Sequence, residues 1–153
     1  IDGWLAGLAV DDPLRLRWQA EAMTAFSTIG EVRPTLLAQL AASDDHHARA
    51  AAIRQLRFWH ASLPDRHELL MRAAADESGL VRLEAAIAAS WIGTPEALEA
   101  VIGIFRRPLG GHLAYAAVCA LESAPLERHW QDAPASPVPG LLKLARRSLE
   151  IRE

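Results

Sequence analysis

The sequence has 153 residues, enough for one ordinary domain, and 51% of them are hydrophobic while only 6% are aromatic, so we expect a core of small aliphatic side chains. This apolar content and the net charge of −3 exclude a disordered chain and argue against a dedicated nucleic-acid binder. The single cysteine, Cys119, excludes an internal disulfide framework and a four-cysteine zinc site. The longest uncharged stretch, residues 108–121, is too short to span a bilayer.

Predicted helices of two kinds alternate along the chain. The first kind carries apolar residues at i, i+1 and i+4, which makes a narrow stripe, and is expected near 3–10, 34–42, 66–75 and 95–106. The second kind is expected near 13–28, 46–60, 79–92 and 111–123. Segments with Pro, Gly, Ser or Asp separate them, and no segment has the period of two that is typical of strands.

The second helices carry a repeated pair of charges at a step of 32 or 33 residues. Each arginine follows an acid by five residues and precedes an alanine by three. We predict that the acids cap helix N-termini and that the arginines reach acids of a neighbouring repeat, forming a structural ladder. The ladder consists of Asp12, Arg17, Asp44, Arg49, Glu77 and Arg82.

Short helices bury their stripes only by packing in pairs against further pairs. The pattern therefore predicts an all-α fold, an α-α superhelix of about four helix pairs plus a C-terminal helix. We expect the array over residues 1–130, a proline-rich loop over 131–140, and an amphipathic helix over 141–153 that is a cap or the start of a further repeat. Because the sequence begins at Ile1 without a signal-like segment, we also expect a fragment or a processed chain.

Two segments carry resemblances to known families. VRLEAAIAASWIG, residues 81–93, resembles the second helix of HEAT-like repeats of the short phycobilisome-lyase type, and residues 16–30 are a looser copy. The run 112–130 is similar to the end of the HEAT region in large haem-binding, dehydrogenase-like proteins of planctomycete and verrucomicrobial bacteria. This second resemblance implies neighbouring domains and a periplasmic or secreted location. No CxxCH motif is present, so we expect no covalent haem, and we predict no cofactor.

Few residue clusters suggest chemistry. Residues 44–47, Asp-Asp-His-His, are the most metal-like cluster, but adjacent helical residues point about 100° apart, so we interpret them as a capped helix start. Cys119 is expected to be a small buried residue. Trp4 and Trp91 are placed in the repeat core, and Trp18 and Trp59 are expected to be partly exposed. With Arg15, Arg54 and Arg57 they could form an aromatic-basic groove of the kind used by HEAT-like DNA-repair glycosylases.

The leading hypothesis is a non-enzymatic module that binds a protein partner or a neighbouring domain, without nucleic acid and without a membrane span. The alternatives are a phycobilin-lyase-like or chaperone-like enzyme, and a DNA-repair or nucleic-acid-binding protein. Docking is expected at the first helix and at the variant fourth repeat. The candidate interaction residues are Trp4, Trp18, Trp59, Tyr115 and Trp130.

Overall fold

The computed structural model describes residues 1–150, apart from the side chain of Glu150, and that part of the chain contains helices and turns but no strand. A 3-10 turn over His60–Ser62 follows the fourth helix. The α-helices are α1 Asp2–Ala6, α2 Arg15–Thr28, α3 Pro34–Ala41, α4 His46–Trp59, α5 Arg66–Ala74, α6 Gly79–Ile92, α7 Pro95–Ile104, α8 Gly111–Leu121, α9 Ala124–Glu127 and α10 Val138–Glu150. The predicted all-α superhelix of four helix pairs is confirmed.

The helices form two layers. The second helices pack side by side, with α4 against α2 and α6, and α6 against α8. The first helices lie on one side of this layer, where α5 packs against α7, and each also contacts the second helix of its own pair. Stacked pairs of this kind share one continuous core, and each pair contacts only its neighbours.

Two predicted helix bounds need correction at the first pair. α1 ends at Ala6 rather than at residue 10, and Gly7 stands at its C-cap. α2 begins at Arg15 rather than at Pro13, because the Asp12 carboxylate accepts a hydrogen bond from the Leu14 amide at 2.8 Å and holds a turn just before the helix.

Leucine and alanine fill the core. The apolar stripes of α3 and α5 are buried, with Leu37 and Leu70 both at 0% exposure. Of the three alanines that follow the ladder arginines by three residues, Ala52 on α4 and Ala85 on α6 are buried and Ala20 on α2 is half-buried. A residue with so small a side chain lets neighbouring second helices approach closely, which is why the layer can be continuous.

The last two helices continue the array. α10 begins at Val138, inside the segment predicted as a loop, and packs against α8 in the way that α8 packs against α6. It therefore extends the layer of second helices, whereas the predicted further repeat would have begun with a first helix. α9 contacts α6, α7 and α8, and the Trp130 indole after it donates to the Leu121 carbonyl at 2.8 Å. Residues 151–153 of the predicted C-terminal helix lie outside the described residues.

Gly93 joins the third pair to α9. It ends α6 with a φ of +63°, and a Cβ atom built there would lie 2.7 Å from Cβ of Pro125. Its carbonyl oxygen accepts hydrogen bonds from Arg128 Nη2 at 3.1 Å and from His129 Nε2 at 3.0 Å. The position therefore needs a residue without a side chain for two separate reasons, the left-handed backbone and the close approach.

We expect Gly93→Ala to lower the free energy of unfolding by about 2 kcal/mol or more, because left-handed backbone strain and overpacking against Pro125 add together. The measurement is the urea unfolding curve followed by circular dichroism. Gly103→Ala is the matched control: Gly103 lies within α7 with no atom within 4 Å of a built Cβ, so it should be neutral or stabilising. Equal loss of stability in both variants would contradict the prediction.

Candidate functional site

Arg49 on α4 links the second helix pair to the third. Its Nε and Nη2 donate to the two carboxylate oxygens of Asp76 at 2.8 and 2.9 Å. Its Nη1 donates to the carbonyls of Ser43 at 3.0 Å and Asp44 at 2.9 Å. The side chains of Arg49 and Asp76 are only 14% and 12% exposed. This bidentate pair is therefore a structural link between repeats, held in a largely dry environment.

The acid partner of Arg49 differs from the predicted ladder. Glu77 is 85% exposed, and its carboxylate oxygen lies 3.9 Å from Arg49 Nη2, while Asp76 makes the short bonds. Burial alone would raise the pKa of Asp76, but hydrogen bonds from Arg49 and from the Ser78 amide outweigh it and hold the pKa below its ordinary value. Arg49 therefore reaches an acid of the next repeat, but its main partner is Asp76, one residue before Glu77.

The other two ladder arginines have no carboxylate partner among the described residues. Arg82 is buried and donates to backbone carbonyls, those of Asp76 at 2.7 Å, Glu77 at 2.9 Å and Pro108 at 3.1 Å. Arg17 is exposed, with its guanidinium 5.7 Å from the ring centre of Trp18. Arg82 therefore ties the third pair to the fourth through the backbone, and Arg17 makes no comparable link.

The acids at the helix starts also need correction. Asp45, rather than Asp44, caps α4: its Oδ1 accepts from the amides of His47 at 2.6 Å and Ala48 at 3.3 Å, and the His47 amide is the main reason that its pKa is lowered. The reason is positional, because a capping residue stands directly before the first helical residue, which here is His46. Asp44 contributes its carbonyl oxygen to Arg49 instead.

A second charged link between repeats was not predicted. Arg54 on α4 donates from Nε and Nη2 to Oε1 of Glu84 on α6 at 2.9 and 2.6 Å, and Glu84 is buried. On the other side of α4, Gln55 Nε2 donates to Ser27 Oγ on α2 at 2.7 Å. The signal was available in the sequence, since Glu84 is the one acid of α6 and stands in the apolar run 83–89.

Two tryptophans lie on the opposite sides of their helices from those predicted. Trp59 is buried at 4% exposure, whereas Trp91 is 57% exposed and Phe58 is 53% exposed. Adjacent positions on a helix point about 100° apart, so with Trp59 facing the core Phe58 faces outward. The rings of Phe58 and Trp91 meet edge to face across the α4–α6 boundary, with centroids 5.6 Å apart.

The remaining predicted interaction residues are distributed over the molecule. Trp4 is about half exposed and meets half-buried Trp18 edge to face, with centroids 6.1 Å apart. Tyr115 on α8 is exposed. Trp130 is half-buried and its indole is hydrogen-bonded to the Leu121 carbonyl. The structure does not bring these residues into one cluster with Trp59, which faces the core.

The aromatic-basic groove considered for nucleic acid is not assembled as predicted. Trp59 is buried, Arg54 is bound to Glu84, and Arg15 donates from Nη1 to the Leu8 carbonyl at 2.9 Å. Each of these side chains is therefore committed to the fold. Only Trp18 and Arg57 of the predicted set keep partly exposed side chains without such a bond among residues 1–150.

The candidate chemical residues also have structural surroundings. The rings of His46 and His47 have centroids 4.1 Å apart, beside the capping Asp45. Among residues 1–150, no group of three or more His, Cys, Asp or Glu side chains is placed to hold a metal ion. Cys119 is exposed on α8, whereas the sequence predicted a buried residue; it stands four residues after the exposed Tyr115, on the same side of the helix.

His60 lies in the 3-10 turn after α4, and its Nδ1 is buried without a hydrogen-bond partner among the described residues. Burial lowers the pKa of His60, and the nearby charges of Arg66 and His67 lower it further. The folded chain thus favours the neutral imidazole, so the stability that depends on it is present above the unfolded pKa, about 6.5, and is lost as the pH falls through the lower folded pKa.

We therefore expect the melting temperature of the wild type to fall more steeply between pH 8 and pH 5 than that of His60→Gln. The measurement is thermal unfolding by circular dichroism across that range. His112→Gln, at an exposed position in the first turn of α8, is the control and should keep the wild-type slope. Parallel curves for the wild type and His60→Gln would contradict the expectation.

Comparison with known proteins adds the following findings. A family model described as HEAT repeats matches residues 33–122, which contain α3 to α8 and make up more than half of the chain. No curated protein and no solved structure matches the sequence significantly. Within residues 1–150, every helix is too short or too polar to cross a membrane.

Proposed function

Because this chain belongs to the HEAT-repeat family, we propose that it is a non-catalytic scaffold that presents its helical surface to a protein partner or to a neighbouring domain. One observation carries the proposal: large aromatic side chains stand about half or more exposed on the repeats, on α1, α4, α6 and α8. They are Trp4, Phe58, Trp91 and Tyr115. Exposed aromatic surface is typical of protein–protein contacts, where tryptophan and tyrosine contribute most.

The placement of the polar side chains supports a structural rather than a catalytic role for them. The buried polar residues are Gln55, Arg82 and Glu84, and each is bonded to a neighbouring repeat. The mostly buried Arg49–Asp76 pair has the same role. Groups that are held in bonds between repeats stabilise the stack, whereas the aromatic side chains keep about half or more of their surface exposed and available to a partner.

The finer resemblances suggest what the neighbour is. In the haem-protein type, domains before and after the array would dock on it in the periplasm, with Tyr115 and the 112–130 segment at one contact. The exposure of Tyr115 supports a contact there, whereas the Trp130 indole is already bonded within the array. A phycobilin-lyase-like activity would need acids and tyrosines in one groove, and Tyr115 is the single tyrosine of the sequence.

The test is hydrogen exchange on the native assembly. The chain, tagged in its native host, is purified with what it binds, and the exchange of each helix is compared with that of the isolated chain. We expect slower exchange in the helices that carry the exposed aromatics. Equal exchange throughout, with no protein recovered in stoichiometric amount, would refute the scaffold function.

A further inference from the structure

One side of α6 is open to solvent. α6 lies between α4 and α8 in the second-helix layer and rests on α5 and α7. The side chains that remain at least partly exposed recur at helical spacing along the open side, and four of them are apolar: Leu80, Leu83, Ile87 and Trp91. Leu80 and Leu83 are half-buried against the core, Ile87 is half-buried, and Trp91 is 57% exposed, so the neighbouring helices cover this stripe only in part.

The corresponding positions of α2 are covered differently. In the repeat alignment they hold Arg15, Trp18, Ala22 and Phe26, of which the last two are buried, and no large apolar side chain of α2 is as exposed as Trp91. The exposed end of the stripe is therefore a property of the middle of the array, and exposed aromatic surface of this kind is typical of a contact with another protein.

The neighbouring helices widen the stripe. Phe58 on α4 meets the ring of Trp91, and Tyr115 on α8 is the fifth residue of its helix, as Leu83 is of α6. We call this surface the α6 patch. It consists of Phe58, Leu80, Leu83, Ile87, Trp91 and Tyr115. From residue 80 to residue 91 it extends about 16 Å along α6, the length of three helical turns.

The charges beside the α6 patch are not balanced. Glu84 lies beneath it and is bound by Arg54, and Glu122 at the end of α8 is bound by Arg146. The guanidinium of Arg57 lies 4.9 Å from the ring centre of Phe58 and forms no ion pair with a described residue. Glu84 and Glu122 are thus paired, and the exposed carboxylate of Glu77 stands before α6, at the other end of the stripe from Trp91. The unpaired cation at the Phe58–Trp91 end makes an acidic partner complementary to that end.

We propose that the α6 patch docks an amphipathic helix of a protein partner, with apolar side chains along one face and acidic residues at the border of that face. The proposal rests on the scaffold function and names the partner's chemistry. Anchors at i, i+3, i+4 and i+7 of the docked helix fit a stripe three turns long. Its carboxylates meet Arg57, which forms no ion pair with a described residue.

Two synthetic helical peptides test the proposal by fluorescence anisotropy with the full chain. They share leucines at i, i+3, i+4, i+7 and i+11 and differ in carrying glutamate or lysine at the polar positions. We expect the acidic peptide to bind at least about tenfold more tightly than the basic one, and Trp91→Ser to weaken its binding about tenfold. Arg57→Gln should weaken it less and reduce its salt dependence.

Met71→Ser is the matched control, because Met71 is 45% exposed on α5, in the layer of first helices. It should leave the affinity unchanged. Phe58→Ser is the second patch variant, and circular dichroism confirms that each variant is folded. Equal binding of the two peptides, no binding, or equal effects of Met71→Ser and Trp91→Ser would overturn the proposal.

Analytical ultracentrifugation tests the remaining alternative, that the α6 patch is occupied by a second copy of this chain. A wild-type dimer that Trp91→Ser converts to monomer would also overturn the proposal. If the peptides fail while the native assembly protects other helices from exchange, the scaffold function stands and only the α6 patch proposal falls.

Discussion

Leu37→Asp is expected to unfold the array at 25 °C. Leu37 has no exposed surface and lies on α3 in the shared core. A carboxylate there loses its hydration without gaining a partner, and the cost of several kcal/mol is comparable with the whole stability of a domain, about 5–15 kcal/mol. Far-ultraviolet circular dichroism should show loss of most of the helical signal.

Leu70→Asp on α5 repeats the test in the next pair and should have the same effect, because Leu70 is equally buried. Leu144→Asp is the control, since Leu144 is 53% exposed on α10 and a charge there stays in water. If Leu37→Asp melts like the wild type, the stripe of α3 does not pack between repeats and the assigned register is wrong.

Arg49→Met is expected to lower the free energy of unfolding by about 3 kcal/mol, because it leaves the mostly buried Asp76 carboxylate without its partner and removes two bonds to backbone carbonyls. Urea unfolding curves measure the effect. Arg146→Met, which removes an exposed pair with Glu122, is the control and should cost about 0–1 kcal/mol. Similar losses in the two variants would mean that the buried setting of Arg49 adds nothing.

Acid unfolding provides an independent check on the same pair. The pKa of Asp76 is lowered in the folded state, so its contribution is present above the unfolded pKa, about 3.9, and is lost as the pH falls through the folded value. The wild type should therefore lose more stability than Asp76→Asn on acidification below pH 5. Asp65→Asn, at an exposed position before α5, is the matched control.

The helices could be predicted because each stripe of apolar residues is buried within its own pair and the next, so a local pattern carries the information. The partner of Arg49 could not be predicted from the same pattern. In the repeat alignment Glu77 is equivalent to Asp44. The turn before α6, which the Asp76 carboxylate helps to form, instead places Asp76 within reach of the Arg49 side chain. Such a contact depends on how two repeats are placed relative to each other, so two acids that are adjacent in the sequence can differ completely in whether they reach the arginine.

The aromatic residues show the same limit. Phe26, Phe58 and Trp91 each stand nine residues after a ladder arginine, yet Phe26 is buried, with the guanidinium of Arg33 4.3 Å from its ring centre, and the other two are exposed. The sequence alone placed Trp91 in the core. The rotation of each helix about its axis, set by its neighbours, decides which side chain of an adjacent pair such as Phe58 and Trp59 faces outward.

The links between successive second helices are unequal in strength, and this has a mechanical consequence. α2 is joined to α4 by the neutral bond between Gln55 and Ser27, and the ion pair of Arg33 with Asp2 on α1 is solvent-exposed. More buried charged pairs, from Arg49 and Arg54, join the second helix pair to the third. When the array is stretched, we expect it to deform first between its first two helix pairs. α4 and α6 would then keep their positions relative to each other, so a protein bound on α6 would keep its contacts during the deformation.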